Sequence, residues 1–250
     1  MPRAAIISDI HGNLEALQAV LKSIESDGVD YIIHLGDLVG YNANPRECVA
    51  LLQEKRAVSV LGNHDLAILE PRMARGFNVL AHHALTYSQQ QLTQSEIRYL
   101  QSIPRIEVLW DKYLLCHGTP ESLESYVLNL FQAKRIFNLL RKRFNGIRFC
   151  FFGHTHIPKI WICDQRGKVI SPSDLPDQIK LYEEENMYLI NPGSVGQPRQ
   201  RDNRSRYLLF DTDGPTVRFK AVPYDIEKAQ KKIMRAKLPE YLAHRLQDGI

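Results

Sequence analysis

No apolar run in this chain approaches the ~20 consecutive residues that a membrane-spanning helix needs, so a transmembrane protein is not expected. Cysteine is sparse. Cys48, Cys116, Cys150 and Cys163 are widely spaced, form no C-x-x-C pair and sit in or beside apolar segments. That spacing speaks against a disulfide framework and for buried thiols in a reducing cytoplasm. Charge of one sign is lacking as well: 32 Lys and Arg against 28 Asp and Glu leave a net +4. So small an excess gives no indication of nucleic acid or an anionic membrane as a partner. There is no internal repeat, no low-complexity stretch, no long linker, and no tripartite leader before Ala4-Ala5-Ile6-Ile7. With 44% hydrophobic and 24% charged residues over 250 positions, the composition is that of an ordinary globular protein. It is read as one cytoplasmic domain spanning 1–250.

What is present is a rhythm. Short apolar runs (Ala4 to Ile7, Tyr31 to Leu35, Ala57 to Leu61) alternate with amphipathic segments (Leu14 to Ile24, Pro45 to Leu52), a β-α-β-α-β pattern. Leu14, Leu17, Leu21 and Ile24 recur at helical steps, and Asn44-Pro45 supplies a cap and an N1 proline. Right-handed crossovers make the three strands parallel, with their C-terminal ends on one edge. Leu66 to Gln101 reads as helical, with a capping box at Thr93-Gln94-Ser95-Glu96, and is either a lid over a site or a connecting layer. Strands are expected at Ile106 to Leu109, Tyr113 to Cys116 and Phe149 to Phe152, with a helix from Asn129 to Phe144. Ile160 to Cys163, Met187 to Ile190, Tyr207 to Asp211 and Val217 to Val222 suggest a second sheet built by hairpins, and one last helix runs from about Ile226 to Leu246, capped by Asp225.

Reactive residues follow the strands directly: Ser8-Asp9-Ile10-His11, Gly36-Asp37, Gly62-Asn63-His64-Asp65, His117-Gly118 and Gly153-His154-Thr155-His156. Each alone is an ordinary turn or helix cap. Five in order, each at the end of a strand on the edge where open α/β sheets bind ligands, indicate a site. Asp9, His11, Asp37, Asn63, His117, His154 and His156 are enough ligands for two metal ions, and Asp37, lying between the two groups, is the natural bridge. Two ions a few ångströms apart can deprotonate a bridging water and hold phosphoryl oxygens for in-line displacement. Two dications against Asp9, Asp37 and a hydroxide leave positive charge, so an anionic substrate is expected. His64, left over beside Asn63, is placed to stabilise phosphoryl charge or protonate the leaving oxygen. Asp65 has two roles open to it: orienting the His64 imidazole and keeping it protonated, or capping the helix that follows.

Together these motifs, including Gly36-Asp37-x-x-Gly40, resemble the full motif set of the calcineurin-like metallophosphoesterase superfamily, over Ile6 to about Val195. The resemblance implies a four-layer αββα sandwich of the α/β (α+β) class, two mixed sheets face to face with helices outside. It further implies that Asp9, His11, Asp37 and His156 hold one metal and Asp37, Asn63, His117 and His154 the other, with His64 as the catalytic histidine. Gly40-Tyr41-Asn42-Ala43-Asn44-Pro45 and Asn191-Pro192-Gly193-Ser194-Val195-Gly196-Gln197-Pro198-Arg199 resemble the compact bacterial and archaeal phosphodiesterase or diadenosine-tetraphosphatase-like branch. Protein phosphatases of the superfamily carry an arginine soon after Gly-Asp, where this chain has Tyr41 and Asn42, and a glutamate where it has Asp65.

Four imidazoles beside carboxylates and an amide favour Mn, Fe, Co, Ni or Zn over Ca or Mg, with manganese expected to support turnover. The partner is then a small phosphorylated substrate held by Asn63, His64 and Arg199. No membrane or dedicated nucleic-acid module is involved, and homo-oligomers remain open. Arg199, Arg201, Arg204 and Arg206 form a dense basic stretch that either grips a second phosphate or a nucleotide or, the favoured reading, is a solvated loop leading into the next strand; His34 reads as structural, and His82 and His83 as surface residues. The expected activity is hydrolysis of phosphodiester, nucleotide or dinucleoside polyphosphate bonds. The alternatives are a phosphomonoesterase or protein phosphatase, a nuclease, and a silent scaffold of the same fold; the scaffold would be expected to lack a ligand or His64, and none is missing.

Overall fold

In β1 (Arg3–Ile7) alternate side chains go to opposite faces, and both faces are dry: Ala4 and Ile6 join one core cluster, Ala5 and Ile7 another. A strand buried on both sides reads as a continuous apolar run rather than an alternating one. The structure, a computed structural model, describes residues 3–250. After β1 come α1 (Leu14–Asp27), β2 (Tyr31–His34), α2 (Pro45–Glu54) and β3 (Val58–Ser59). β1, β2 and β3 pair in parallel, as the crossover rule requires. β3 is shorter than the expected Ala57 to Leu61, because the Leu61 amide turns out of the ladder to bond the Pro104 carbonyl.

The middle of the chain is helical but broken: α3 (Asn63–Leu69), a 3-10 turn (Pro71–Gly76), α4 (Val79–Gln91) and α5 (Gln94–Ser102). Pro71 stops the first helix, Asn78 caps α4 through the Ala81 amide, and Thr93 with Glu96 forms the capping box of α5. Next come β4 (Ile106–Leu109), β5 (Tyr113–Cys116), α6 (Leu130–Arg143), β6 (Phe149–Phe151), β7 (Lys159–Asp164), β8 (Val169–Ile170), β9 (Gln178–Lys180), β10 (Asn186–Asn191), β11 (Ser205–Asp211) and β12 (Thr216–Val222). The expected single C-terminal helix is two, α7 (Ile226–Arg235) and α8 (Glu240–Asp248). Lys237 takes a left-handed φ of 56° and Pro239 precedes α8, so the first helix cannot continue through them.

Two six-stranded mixed sheets result, in the orders β3-β2-β1-β11-β12-β9 and β4-β5-β6-β10-β7-β8. The late strands do not form a sheet of their own, as their hairpin spacing suggested. β11 instead pairs antiparallel with the open edge of β1 and carries β12 and β9 with it, while β7 and β10 complete the other sheet. Ile6, Ile33, Leu208 and Phe210 of the first sheet meet Leu115, Phe149, Phe151, Tyr188 and Ile190 of the second in one buried layer. Outside them, α1 and α2 cover the first sheet and α6 covers the second. α7 and α8 pack with Ala81 and Ala84 of α4 and with Tyr41. β5, β6 and β10 are parallel to one another, so their C-terminal ends share one edge.

Candidate metal centre

The loops leaving β1, β2, β3, β5 and β6 converge at one place and tie one another down. The amides of Asp9, His11 and Gly12 bond the carbonyls of Gly36, Asp37 and Leu38, and the Gly153 amide bonds the His117 carbonyl. A sixth loop, leaving β10, closes the ring: the Val195 and Gly196 amides bond the Ser8 and Asp9 carbonyls. Gly62 must lack a side chain, since a Cβ there would lie 2.1 Å from both the amide nitrogen and Oδ1 of Asp37.

Asp9, His11, Asp37, Asn63, His117, His154 and His156 are all buried and all drawn into this cluster. Asp9, His11 and His156 form one group, and Asp37, His117 and His154 another, with ligand atoms within 4.8 Å of each other in each. Asp37 lies between them. Its Oδ2 is 3.5 Å from His11 Nε2 and 3.3 Å from His117 Nε2, while its Oδ1 accepts the His64 amide at 2.9 Å. Asn63 Oδ1 is 3.0 Å from His117 Nε2. His64 also groups with His11 and Asp37.

Each of the four histidines has one ring nitrogen on a main-chain carbonyl. Nδ1 of His11, His117 and His156 donates to Val39, Leu35 and Gln197 at 2.9, 2.7 and 2.8 Å, and His154 Nε2 donates to Glu124 at 3.1 Å. A carbonyl can only accept, so those nitrogens carry protons, and in a neutral ring the other nitrogen presents a lone pair. Carbonyl partners of this kind fix tautomer and ring orientation in metal sites.

Burial dominates the charge states. It holds His11 and His156 far below the usual imidazole range, His154 at about 3 and His64 at about 4. His117 is the exception. Burial opposes its charge too, but the Asp37 carboxylate beside it prevails and raises it to about 9. Desolvation pushes Asp9 up to about 7. His11 Nε2 and His156 Nε2 sit 3.1 Å apart with both rings neutral, so two lone pairs face each other with no proton between them. A cation relieves that arrangement, and a donor set of imidazole, carboxylate and amide suits a divalent transition metal.

A model of the calcineurin-like phosphoesterase superfamily domain matches residues 3–214. The chain belongs to the calcineurin-like phosphoesterase superfamily. It is similar to an uncharacterised protein of Methanocaldococcus jannaschii, 38% identical over 246 residues that cover 97% of this chain and 96% of that one. Phosphodiesterase YfcE of Escherichia coli is 25% identical over 218 residues, 85% of this chain and 89% of that protein. The crystal structure of a metallophosphoesterase from Sphaerobacter thermophilus superposes with a TM-score of 0.83 at 35% identity, covering 100% of this chain and 99% of that one. The protein is thus a phosphoric ester hydrolase by family, on a scaffold of two facing sheets.

Around the metal centre of this phosphoesterase lies a cleft of about 240 Å³, lined by Asp37, Asn63, His64, His154, His156 and Arg199 among others. Arg199 therefore does not belong to a solvated loop. Its guanidinium reaches back to the Thr155 carbonyl and Gln197 Oε1. Arg204 and Arg206 instead pair with Asp202, and Arg201 is exposed. Asp65 does not orient His64. Its carboxylate accepts four amides, those of Asp37 and Gly62 on Oδ2 and of Leu38 and Val39 on Oδ1, at 2.8 to 3.2 Å. It caps α3 and holds the Asp37 loop against it, and the imidazole it was expected to keep charged is neutral. His34 is buried and belongs to none of these metal groupings, and His82 and His83 are exposed.

Gly76, Phe77, Asn78 and Ala81 also line the cleft, so the helical segment overhangs the site. Sequence reasoning missed Phe77, Tyr126 and Tyr41, whose rings lie 4.7, 4.1 and 4.8 Å from those of His64, His154 and His64 respectively. No motif marks the first two. Tyr41 stands out in the sequence only for not being an arginine.

Proposed function

We propose that this phosphoesterase hydrolyses small phosphodiesters, nucleotide esters and dinucleoside polyphosphates among them, with two divalent transition-metal ions, manganese favoured. The observation that carries the proposal is the set of four imidazoles, each fixed on a main-chain carbonyl through one nitrogen, whose other nitrogens converge with Asp9, Asp37 and Asn63. Asp9, His11, Asp37 and His156 would hold one ion and Asp37, Asn63, His117 and His154 the other, Asp37 being shared by both sets. When bound, divalent ions lower the pKa of water and polarise phosphoryl oxygens.

The chain's own residues supply the rest. His64 packs its Nδ1 on Gly40, where a Cβ would come within 2.5 Å, and that nitrogen is buried without a partner. Nε2 is then the nitrogen left for the substrate, as a hydrogen-bond donor to the phosphoryl or leaving oxygen. Arg199 offers a fixed positive charge to the phosphate. A diester is favoured over a dianionic monoester because, among the described residues, the cleft lining has one arginine and no lysine, and Glu124 also lines it. Four unpaired buried thiols support a reducing compartment, the cytoplasm.

The test is to strip the protein of metal, reload it with Mn, Fe, Co, Ni or Zn, and assay bis-(p-nitrophenyl) phosphate, p-nitrophenyl phosphate and diadenosine polyphosphates. Manganese-supported turnover of a diester is expected. Faster hydrolysis of the monoester would make it a phosphomonoesterase, and no hydrolysis of any substrate by loaded protein would leave a scaffold.

A further inference from the structure

We propose that Tyr126 and Phe77 are the specificity residues of this site, taking between them a planar aromatic group carried on the ester arm that stays with the phosphorus. The proposal rests on the phosphodiesterase reading and names its substrate class. Tyr126 lies nearly parallel to the His154 ring, 4.1 Å between centroids and 21° between planes, yet is 43% exposed. Phe77 stands 4.7 Å from the His64 ring at 43° and is half-buried. Both line the cleft. They come from the segment before α4 and the loop between β5 and α6, neither of which is needed to build the sheets.

Tyr126 is exposed at a polar site, and Phe77, though it also packs against two core clusters, lines the same cleft. Both rings rest on imidazoles that face the phosphoryl position, so a ring one ester arm away from phosphorus falls against them. Gly76, Asn78 and Ala81, all of modest size, also line the cleft. Aromatic side chains hold bases by stacking whatever their hydrogen-bonding edges, and loss of such a ring weakens binding by about tenfold or more. Arg199, held by Thr155 and Gln197 in the same cleft, is left to the anionic part.

A structural role competes with this one, in which Tyr126 merely props the His154 ring. The two separate on a ratio. Thymidine 5′-(p-nitrophenyl) phosphate and ethyl p-nitrophenyl phosphate share a leaving group and differ in the other ester arm. With manganese-loaded protein, kcat/KM for the first should exceed that for the second by about tenfold or more. Tyr126→Leu and Phe77→Leu should each lower that ratio by at least about threefold, whatever they do to the absolute rates. A prop would lower both substrates together and leave the ratio unmoved. A ratio near one in the unsubstituted protein, or one unmoved in both variants, overturns the proposal.

Calorimetric titration of the loaded, unsubstituted protein depends on neither turnover nor a folded variant. Thymidine 5′-phosphate should bind about tenfold more tightly than ethyl phosphate, and equal affinities overturn the aromatic subsite. If neither diester is hydrolysed, the phosphodiesterase reading fails by itself, and the binding comparison still decides the subsite.

Discussion

Metal binding should expel a proton from His117, and the size of that coupling follows from the geometry. In the metal-free protein the Asp37 carboxylate, 3.3 Å from His117 Nε2, outweighs burial and raises this histidine to about 9. Nδ1 donates to the Leu35 carbonyl, so the proton that must leave to expose a ligand lone pair is the one on Nε2. The sign is fixed: a group whose pKa is raised holds its proton below that pKa, and the proton competes with the metal there. Apparent affinity at this ion should therefore rise with pH, tenfold per unit, and level off near 9. At pH 7 the cost is on the order of 100-fold, or roughly 3 kcal/mol. Below neutral pH, Asp9, raised to about 7 by desolvation, adds a competing proton at the other ion. Manganese titrations of stripped protein at pH 6 to 8, in buffers of differing ionisation enthalpy, measure both the affinity and the protons released. Affinity independent of pH, with no proton released, would refute the assignment of His117 as a ligand charged in the metal-free state.

Three further outcomes are expected. His64→Ala should cut diester turnover by about 100-fold or more, the usual scale for losing a proton donor, while elemental analysis still finds both metals; loss of metal would make His64 a ligand. Asp65→Asn replaces an acceptor of four amides by a group with one acceptor oxygen, and should destabilise the metal-free protein by about 3 kcal/mol in urea unfolding; a change under 1 kcal/mol would mean that Asp65 does not hold the Asp37 loop. Gly62→Ala drives a Cβ to within 2.1 Å of Asp37 and should abolish binding of at least one ion by calorimetry, a result that a fully loaded variant would contradict.

The fold was legible where one residue type had one use. Ala4 to Ile7 admits only a strand buried on both faces, and the Asn44-Pro45 and Thr93 to Glu96 signals start helices where α2 and α5 begin. It was less legible where pairing is non-local. Nothing within Tyr207 to Asp211 says that its partner is β1, just over two hundred residues earlier, rather than the preceding hairpin. Within the site, residues that bring a ligand atom are visible as motifs because their chemistry restricts them to Asp, Asn or His. Residues that act through the main chain are not. Gln197 and Glu124 orient His156 and His154 with backbone carbonyls, which any residue possesses. Asp65 shows the limit from the other side: its type fitted both imidazole partner and helix cap, and only the four amides around its carboxylate distinguish them.

The backbone of the ligand loops explains why the motifs have the composition they do. Asp9, His11, Asp37, His154 and His156 all have left-handed φ, from 49° to 65°. For residues with a side chain this conformation costs about 1–3 kcal/mol each, and Asp, Asn and His tolerate it better than most. The residue types that serve as ligands are therefore also those that the turns accept. The strain persists because the loops over-determine it: the Asp9 and His11 amides are taken by Gly36 and Asp37, the Asp9 carbonyl by Gly196 and Ser194, and the Asp9 carboxylate by the His154 amide. These contacts run from the β1 loop to the β2, β6 and β10 loops and so join the two sheets across the ligand edge. The ligands are thereby positioned by the fold before any ion binds. On the proposed assignment, His117 would give up its proton to a bound ion and His11 and His156 would turn their facing lone pairs to one, without the chain having to be ordered first.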